Sequence, residues 1–183
     1  MIFQESKIDW HFDELFRNLI QLDNHTHSKT VQSNTKARKQ GERDLKTVDL
    51  IGTFNDEETY FIEIKNYLGA NTDNSLIDEL IHELILKVKD SFSLILSGSR
   101  AADNDRKFFK RLSVLLKEEA RFIICFWIEN MIYKNKQQTE LKLRMIQQKL
   151  KSILYSWTES RVIITNSEQD WQKILPNLAI KVH

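Results

Sequence analysis

The sequence is short of cysteine, proline and glycine, with one, one and four respectively in 183 residues, and no apolar run is long enough to span a bilayer. A lone Cys125 excludes an intrachain disulfide and a cysteine-rich zinc site. Its place in an apolar run predicts a buried thiol, and a reducing cytoplasm suits it. The scarcity of Gly and Pro excludes low-complexity and disordered segments, and there is no phosphate-binding glycine loop. No serine or cysteine nucleophile signature and no zinc-finger spacing occurs either. The start Met1-Ile2-Phe3-Gln4-Glu5-Ser6 lacks the basic and apolar parts of a signal peptide, so the expectation is a soluble, cytoplasmic protein with no membrane partner. Excess charge of one sign is missing too: 27 Lys and Arg face 26 Asp and Glu, a net of +1, and only the placement of charge can inform about partners.

What is present is ample core material. Apolar residues make up 41%, including ten Phe and four Trp, enough for one domain spanning residues 1–183. Trp10, Trp127, Trp157 and Trp171 are scattered and read as packing residues rather than a base-stacking platform. Ile8, Phe12, Leu15, Phe16 and Leu19 recur at helical spacing and predict an amphipathic opening helix over 8–22. The polar stretch from Asp23 to Arg43 predicts a loop. Two strand-like runs follow, Asp44–Phe54 and Thr59–Tyr67, joined by Asn55-Asp56-Glu57-Glu58 as a β-hairpin. Ile77, Leu80, Ile81, Leu84, Val88, Phe92 and Ile95 trace one face of a long helix between Asn74 or Ser75 and Gly98. A basic helix over 105–117 should turn Phe108, Leu112 and Leu115 inward. The unbroken apolar run Arg121–Glu129 predicts a central strand covered by helices on both sides. A helix over Thr139–Tyr155, a buried strand over Arg161–Thr165, a brief helix over Trp171–Leu175 stopped by Pro176 and an edge strand over Leu178–Val182 complete the chain. The fold class is α/β, one mixed sheet with a central hairpin flanked by helices.

Three charged residues interrupt the hairpin. Strand alternation places Glu63 and Lys65 on one face and Tyr60, Ile62 and Ile64 on the other. A hairpin centred near Asp56 sets Asp49 opposite or close to Glu63. Two carboxylates so placed repel unless a cation lies between them, and hard oxygen donors suit Mg²⁺ or Mn²⁺. Lys65 would orient or help deprotonate an attacking water, or stabilise the charge that builds up at a phosphate. The plain alternative is a solvated surface pair in an ordinary hairpin.

Asp49, Glu63-Ile64-Lys65 and the elements around them resemble the PD-(D/E)xK nuclease superfamily, which includes restriction endonucleases and Holliday-junction resolvases. The resemblance covers mainly the opening helix through Lys65, and Val48 stands where the motif name has proline. It implies a restriction-endonuclease-like core and a metal-dependent endonuclease acting on DNA. Asp49 and Glu63 would bind metal, the Ile64 carbonyl would be a further ligand, and Lys65 would act on the water. Many members add an acidic residue from the first helix; here Asp13 and Glu14 are on offer, and both fall away from the apolar stripe. His25 and His27 lack further metal ligands at a suitable spacing. The basic stretch from Lys29 to Lys46 is either a phosphate-contacting arm or a solvated charge run. His82, Glu83, Lys87 and Lys89 on the long helix are placed to border the site. Cutting a duplex would call for a homodimer or a protein partner. The rival readings are a catalytically silent nucleic-acid-binding or assembly module on the same scaffold, and an RNA-directed nuclease.

Overall fold

The computed structural model describes residues 2–5, 8–12, 16–22, 25, 28–31, 45–55, 57–67, 74–100, 106–116, 121–129, 135–155, 160–165 and 178–182. Their elements are β1 (Ile2–Glu5), β2 (Ile8–Phe12), β3 (Phe16–Gln21), β4 (Leu50–Phe54), β5 (Glu58–Asn66), α1 (Asn74–Gly98), α2 (Arg106–Leu115), β6 (Arg121–Glu129), α3 (Lys136–Tyr155), β7 (Ser160–Thr165) and β8 (Leu178–Val182).

The fold is α/β, but its strands form two sheets rather than one. A five-stranded mixed sheet runs β3-β4-β5-β6-β7, and a separate three-stranded sheet runs β1-β2-β8. In the larger sheet β4 runs antiparallel to both its neighbours, β3 and β5, whereas β6 and β7 continue parallel to β5. The expected hairpin is β4-β5, with β5 at the sheet's centre. Its register pairs Phe54 with Glu58, and Asn55 turns the chain with φ of 51°, a conformation that Asn tolerates better than most residues. β8 lies at a sheet edge, as expected.

The opening helix does not form. Residues 8–12 and 16–21 are strands, paired with β1 and β8 and with β4 respectively. The same stretch also alternates in strand fashion (Ile8, Trp10, Phe12), and strand partners supplied by distant parts of the chain select that period over the helical one. The first hairpin strand begins at Leu50 rather than Asp44, because the backbone before it bonds to α1 instead of to β5.

Side-chain alternation divides the core in two. Phe61, Phe122, Ile124, Phe126, Val162 and Ile164 face a cluster that also contains Leu84 and Val88 of α1, Phe109 and Leu112 of α2, and Ile146 and Leu150 of α3. Tyr60, Ile62, Ile64, Ile123, Cys125, Trp127 and Ile163 form a second buried cluster on the other face, with Leu50. Both faces of β6 are thus buried, yet α1, α2 and α3 all join the Phe61 cluster. The order β5-β6-β7 advances in one direction, and crossovers of one hand then lie on one face. In α2 it is Phe109 rather than Phe108 that is fully buried, with Leu115 only half-buried, while Arg106, Lys107, Lys110 and Arg111 are exposed. The expected brief helix at Trp171–Leu175 lies outside the described residues.

Where α1 ends, a Cβ on Gly98 would stand 2.6 Å from the Phe109 ring. Gly98→Ala is therefore expected to destabilise by about 1–3 kcal/mol in urea unfolding, through overpacking. Helix propensity alone gives the opposite sign, a gain of roughly 1 kcal/mol, so a stabilised variant would refute the close packing.

Candidate functional site

β5, α1 and the segment leading into β4 bring six charged side chains together. Leu50–Ile62 is the last ladder pair of β4 and β5, so the next opposed positions are 49 and 63, as the hairpin spacing predicts. Asp49 sits in a bend at the start of β4. Its carbonyl accepts the Leu22 N–H at 2.9 Å, and its Oδ2 accepts the Ile64 N–H at 2.7 Å. Glu63 and Lys65 share the face covered by α1, while Ile62 and Ile64 point into the other cluster, again as alternation predicts.

Glu63 is fully buried. The Lys87 Nζ lies 2.6 Å from its Oε1 and 3.6 Å from Asp49 Oδ1, so one ammonium bridges the two carboxylates. Glu63 Oε2 has no hydrogen-bond partner among the described residues. Lys65 Nζ is 3.5 Å from Glu63 Oε1 but closer, at 2.9 Å, to Glu83 Oε1, which also lies 3.6 Å from Lys46 Nζ. Glu83 and Lys87 are four residues apart and therefore present one face of α1 to the hairpin.

The electrostatics follow from this crowding. Burial, then the neighbouring Asp49 charge, pushes the Glu63 carboxyl up to about 8 against the pull of Lys87 and Lys65. Burial draws Lys87 down, but the charges of Glu63 and Asp49 outweigh it and hold the ammonium above its ordinary range. Lys65 is likewise raised, burial being outweighed by Glu63 and Glu83. Glu83 is lowered because Lys65, Lys46 and Lys87 outweigh its partial burial. Burial and the charges of Glu83 and Glu63 raise the Tyr67 hydroxyl to about 12.

No family model, curated protein or solved structure matches the chain. The reading of the site therefore rests on its own chemistry.

Among the described residues, no group of three or more His, Cys, Asp or Glu side chains is placed to hold a metal ion. The oxygen set is smaller: Asp49, Glu63 and the Ile64 backbone, whose C=O lies on the same strand edge as the N–H that reaches Asp49. Two carboxylates with several waters is an ordinary arrangement for Mg²⁺, and a buried carboxylate oxygen without a partner suits an incoming cation. The residue types would suit a hard divalent ion, and the Lys87 ammonium lies between the two carboxyl groups.

Of the other candidates on α1, His82 and Lys89 are exposed and Glu83 and Lys87 enter the site. Asp13, Glu14, His27 and residues 32–44 of the basic stretch lie outside the described residues. His25 meets the Phe109 ring edge-on at 5.1 Å, a packing contact. The sequence reading passed over Asp90 and Ser91. Asp90 Oδ2 accepts the Lys46 N–H and Ser91 Oγ accepts the Val48 N–H, each at 2.9 Å, so α1 clamps the backbone that leads into Asp49. Ser91 also donates to the Lys87 carbonyl at 2.7 Å. The available signal was the run of polar residues Lys87, Asp90 and Ser91 beside the apolar stripe of α1, more than a solvated helix face requires. Ser91→Ala would leave the buried Val48 N–H unpaired, and the expected loss is about 1–3 kcal/mol by chemical denaturation. An unchanged midpoint would mean that Ser91 does not hold this segment.

Proposed function

We propose that the chain is a metal-dependent phosphodiester hydrolase acting on DNA, with a restriction-endonuclease-like core of the PD-(D/E)xK type. The observation that carries the reading is the meeting of Asp49 with a fully buried Glu63, one oxygen of which has no hydrogen-bond partner among the described residues, at the end of the central hairpin. Burying a carboxylate beside another is costly, and such an arrangement makes sense where cations are handled. The central β4-β5 hairpin and α1 support the core assignment; the missing opening helix does not.

Asp49, Glu63 and the Ile64 carbonyl would hold Mg²⁺ or Mn²⁺. When bound, such an ion polarises a phosphoryl oxygen and lowers the pKa of water. Lys65, paired with Glu83 at 2.9 Å, would orient a water or help deprotonate it and stabilise charge on the phosphate. Glu83 positions Lys65, while Asp90 and Ser91 position Asp49. Cys125 is buried and free, which suits a reducing cytoplasm. No helix among the described residues is long and apolar enough to cross a membrane. A second copy or a protein partner would allow both strands of a duplex to be cut.

One observation favours the silent-scaffold alternative: Lys87 already bridges both carboxylates with an internal positive charge. Mn²⁺ and Mg²⁺ titration by calorimetry, on the wild type and Asp49→Asn/Glu63→Gln, separates the two readings. Single-stranded, duplex and branched DNA and an RNA counterpart would be digested in parallel. The expected result is metal binding and DNA cleavage that disappear together in the double variant. A wild type that neither binds metal nor cuts, even with DNA present, would overturn the nuclease reading, and cleavage of RNA alone would overturn the choice of substrate.

A further inference from the structure

Glu63 lies deep under α1 and is not held by the motif lysine alone. Lys65 is 3.5 Å away and turned toward Glu83, whereas Lys87 makes the 2.6 Å contact and reaches Asp49 as well. Lys87 comes from an element that packs across the hairpin, and its side chain is only 11% exposed. On leaving Glu63 its ammonium needs a partner nearer the surface. Glu83 offers one: it sits one helical turn before Lys87, is partly exposed, and already feels the Lys87 charge.

We infer that Lys87 is a built-in counter-ion that competes with the divalent cation for Asp49 and Glu63 and withdraws toward Glu83 when the metal enters. The inference rests on the proposed metal-dependent function and adds a determinant of metal affinity. Two positive charges cannot share the space between Asp49 Oδ1 and Glu63 Oε1 without strong repulsion, since unit charges a few ångströms apart in a partly buried site interact by several times thermal energy. The ammonium lies between the two carboxyl groups when no metal is bound, and it weakens every metal that must displace it. Glu83 then carries three lysines, Lys46, Lys65 and Lys87, so metal entry gathers positive charge at the mouth of the site, where a phosphate would be attracted.

The test is Mn²⁺ calorimetry on the wild type, Lys87→Met and Lys65→Met. Lys87→Met is expected to bind Mn²⁺ at least about tenfold more tightly than the wild type, and Lys65→Met within about threefold of it. A purely structural role for Lys87 predicts equal or weaker binding in Lys87→Met, and that result would overturn the inference while leaving the nuclease reading in place. Binding by Lys87→Met with none by the wild type would support the counter-ion and remove the nuclease reading. Binding by neither would overturn both. Should Lys87→Met fail to fold, the Lys87 ammonium resonance of ¹⁵N-lysine-labelled wild type supplies the answer: it is expected to shift on saturation with Mg²⁺, and a resonance that stays in place at saturation would overturn the inference.

Discussion

Lys65→Ala is expected to lower DNA cleavage by about a thousandfold while the protein stays folded. Removing one well-placed donor to developing charge costs on the order of 10²–10³ in rate. The fold should survive because Lys65 is a quarter exposed and its main partner, Glu83, is itself part-exposed and keeps Lys46 nearby. An ion pair of that kind contributes about 1 kcal/mol or less to stability. Single-turnover cleavage at saturating Mg²⁺, with urea unfolding of the same preparation, checks both halves. A fully active Lys65→Ala protein would sink the assigned role.

Glu63→Gln should change how stability responds to pH. In metal-free buffer the unfolded carboxyl releases its proton near the ordinary 4.5, while the folded one retains it up to about 8. Between those values the unfolded chain binds fewer protons than the native protein, so the Glu63 contribution falls as pH rises and is fully unfavourable above about 8. The slope is roughly 1 kcal/mol per pH unit, large against the total stability of a domain of this size. The measurement is urea unfolding of the wild type and Glu63→Gln from pH 5 to 9 with chelator present. The wild type should lose stability relative to the variant across this window, and groups common to both proteins cancel in the difference. Parallel curves would mean that burial and Asp49 do not perturb Glu63. Saturating Mg²⁺ should offset the wild-type loss at pH 9, since a ligand bound only by the native state stabilises it.

The two predictions depend on different features of one site. The first uses Lys65, whose place follows from its position two residues after Glu63 on a strand. The second depends on α1 closing over Glu63, which no local pattern announces. Glu83 and Lys87 were recognisable as residues bordering the site, but their separate partners were not: which lysine bridges the carboxylates depends on side-chain reach across an inter-element gap. Asp90 and Ser91 were passed over because their partners are the backbone N–H groups of residues some forty positions earlier.

Local patterns set the β4-β5 hairpin, the common face of Glu63 and Lys65, the opposition of Asp49 and Glu63, and α1, β6, α3 and β7 nearly to their ends. These follow from periods of two and 3.6 residues and from turn chemistry, which act over a few neighbouring residues. Long-range packing made residues 8–12 and 16–21 strands, joined β1 and β2 to β8 in a second sheet, and set α1, α2 and α3 on one core. Residues 8–12 satisfy both periods, so the choice passes to a partner at the other end of the chain. The placement of Lys87 between two carboxylates was settled in the same way, by packing α1 against β5, because the energy of a buried charge depends on what surrounds it and not on its neighbours in sequence.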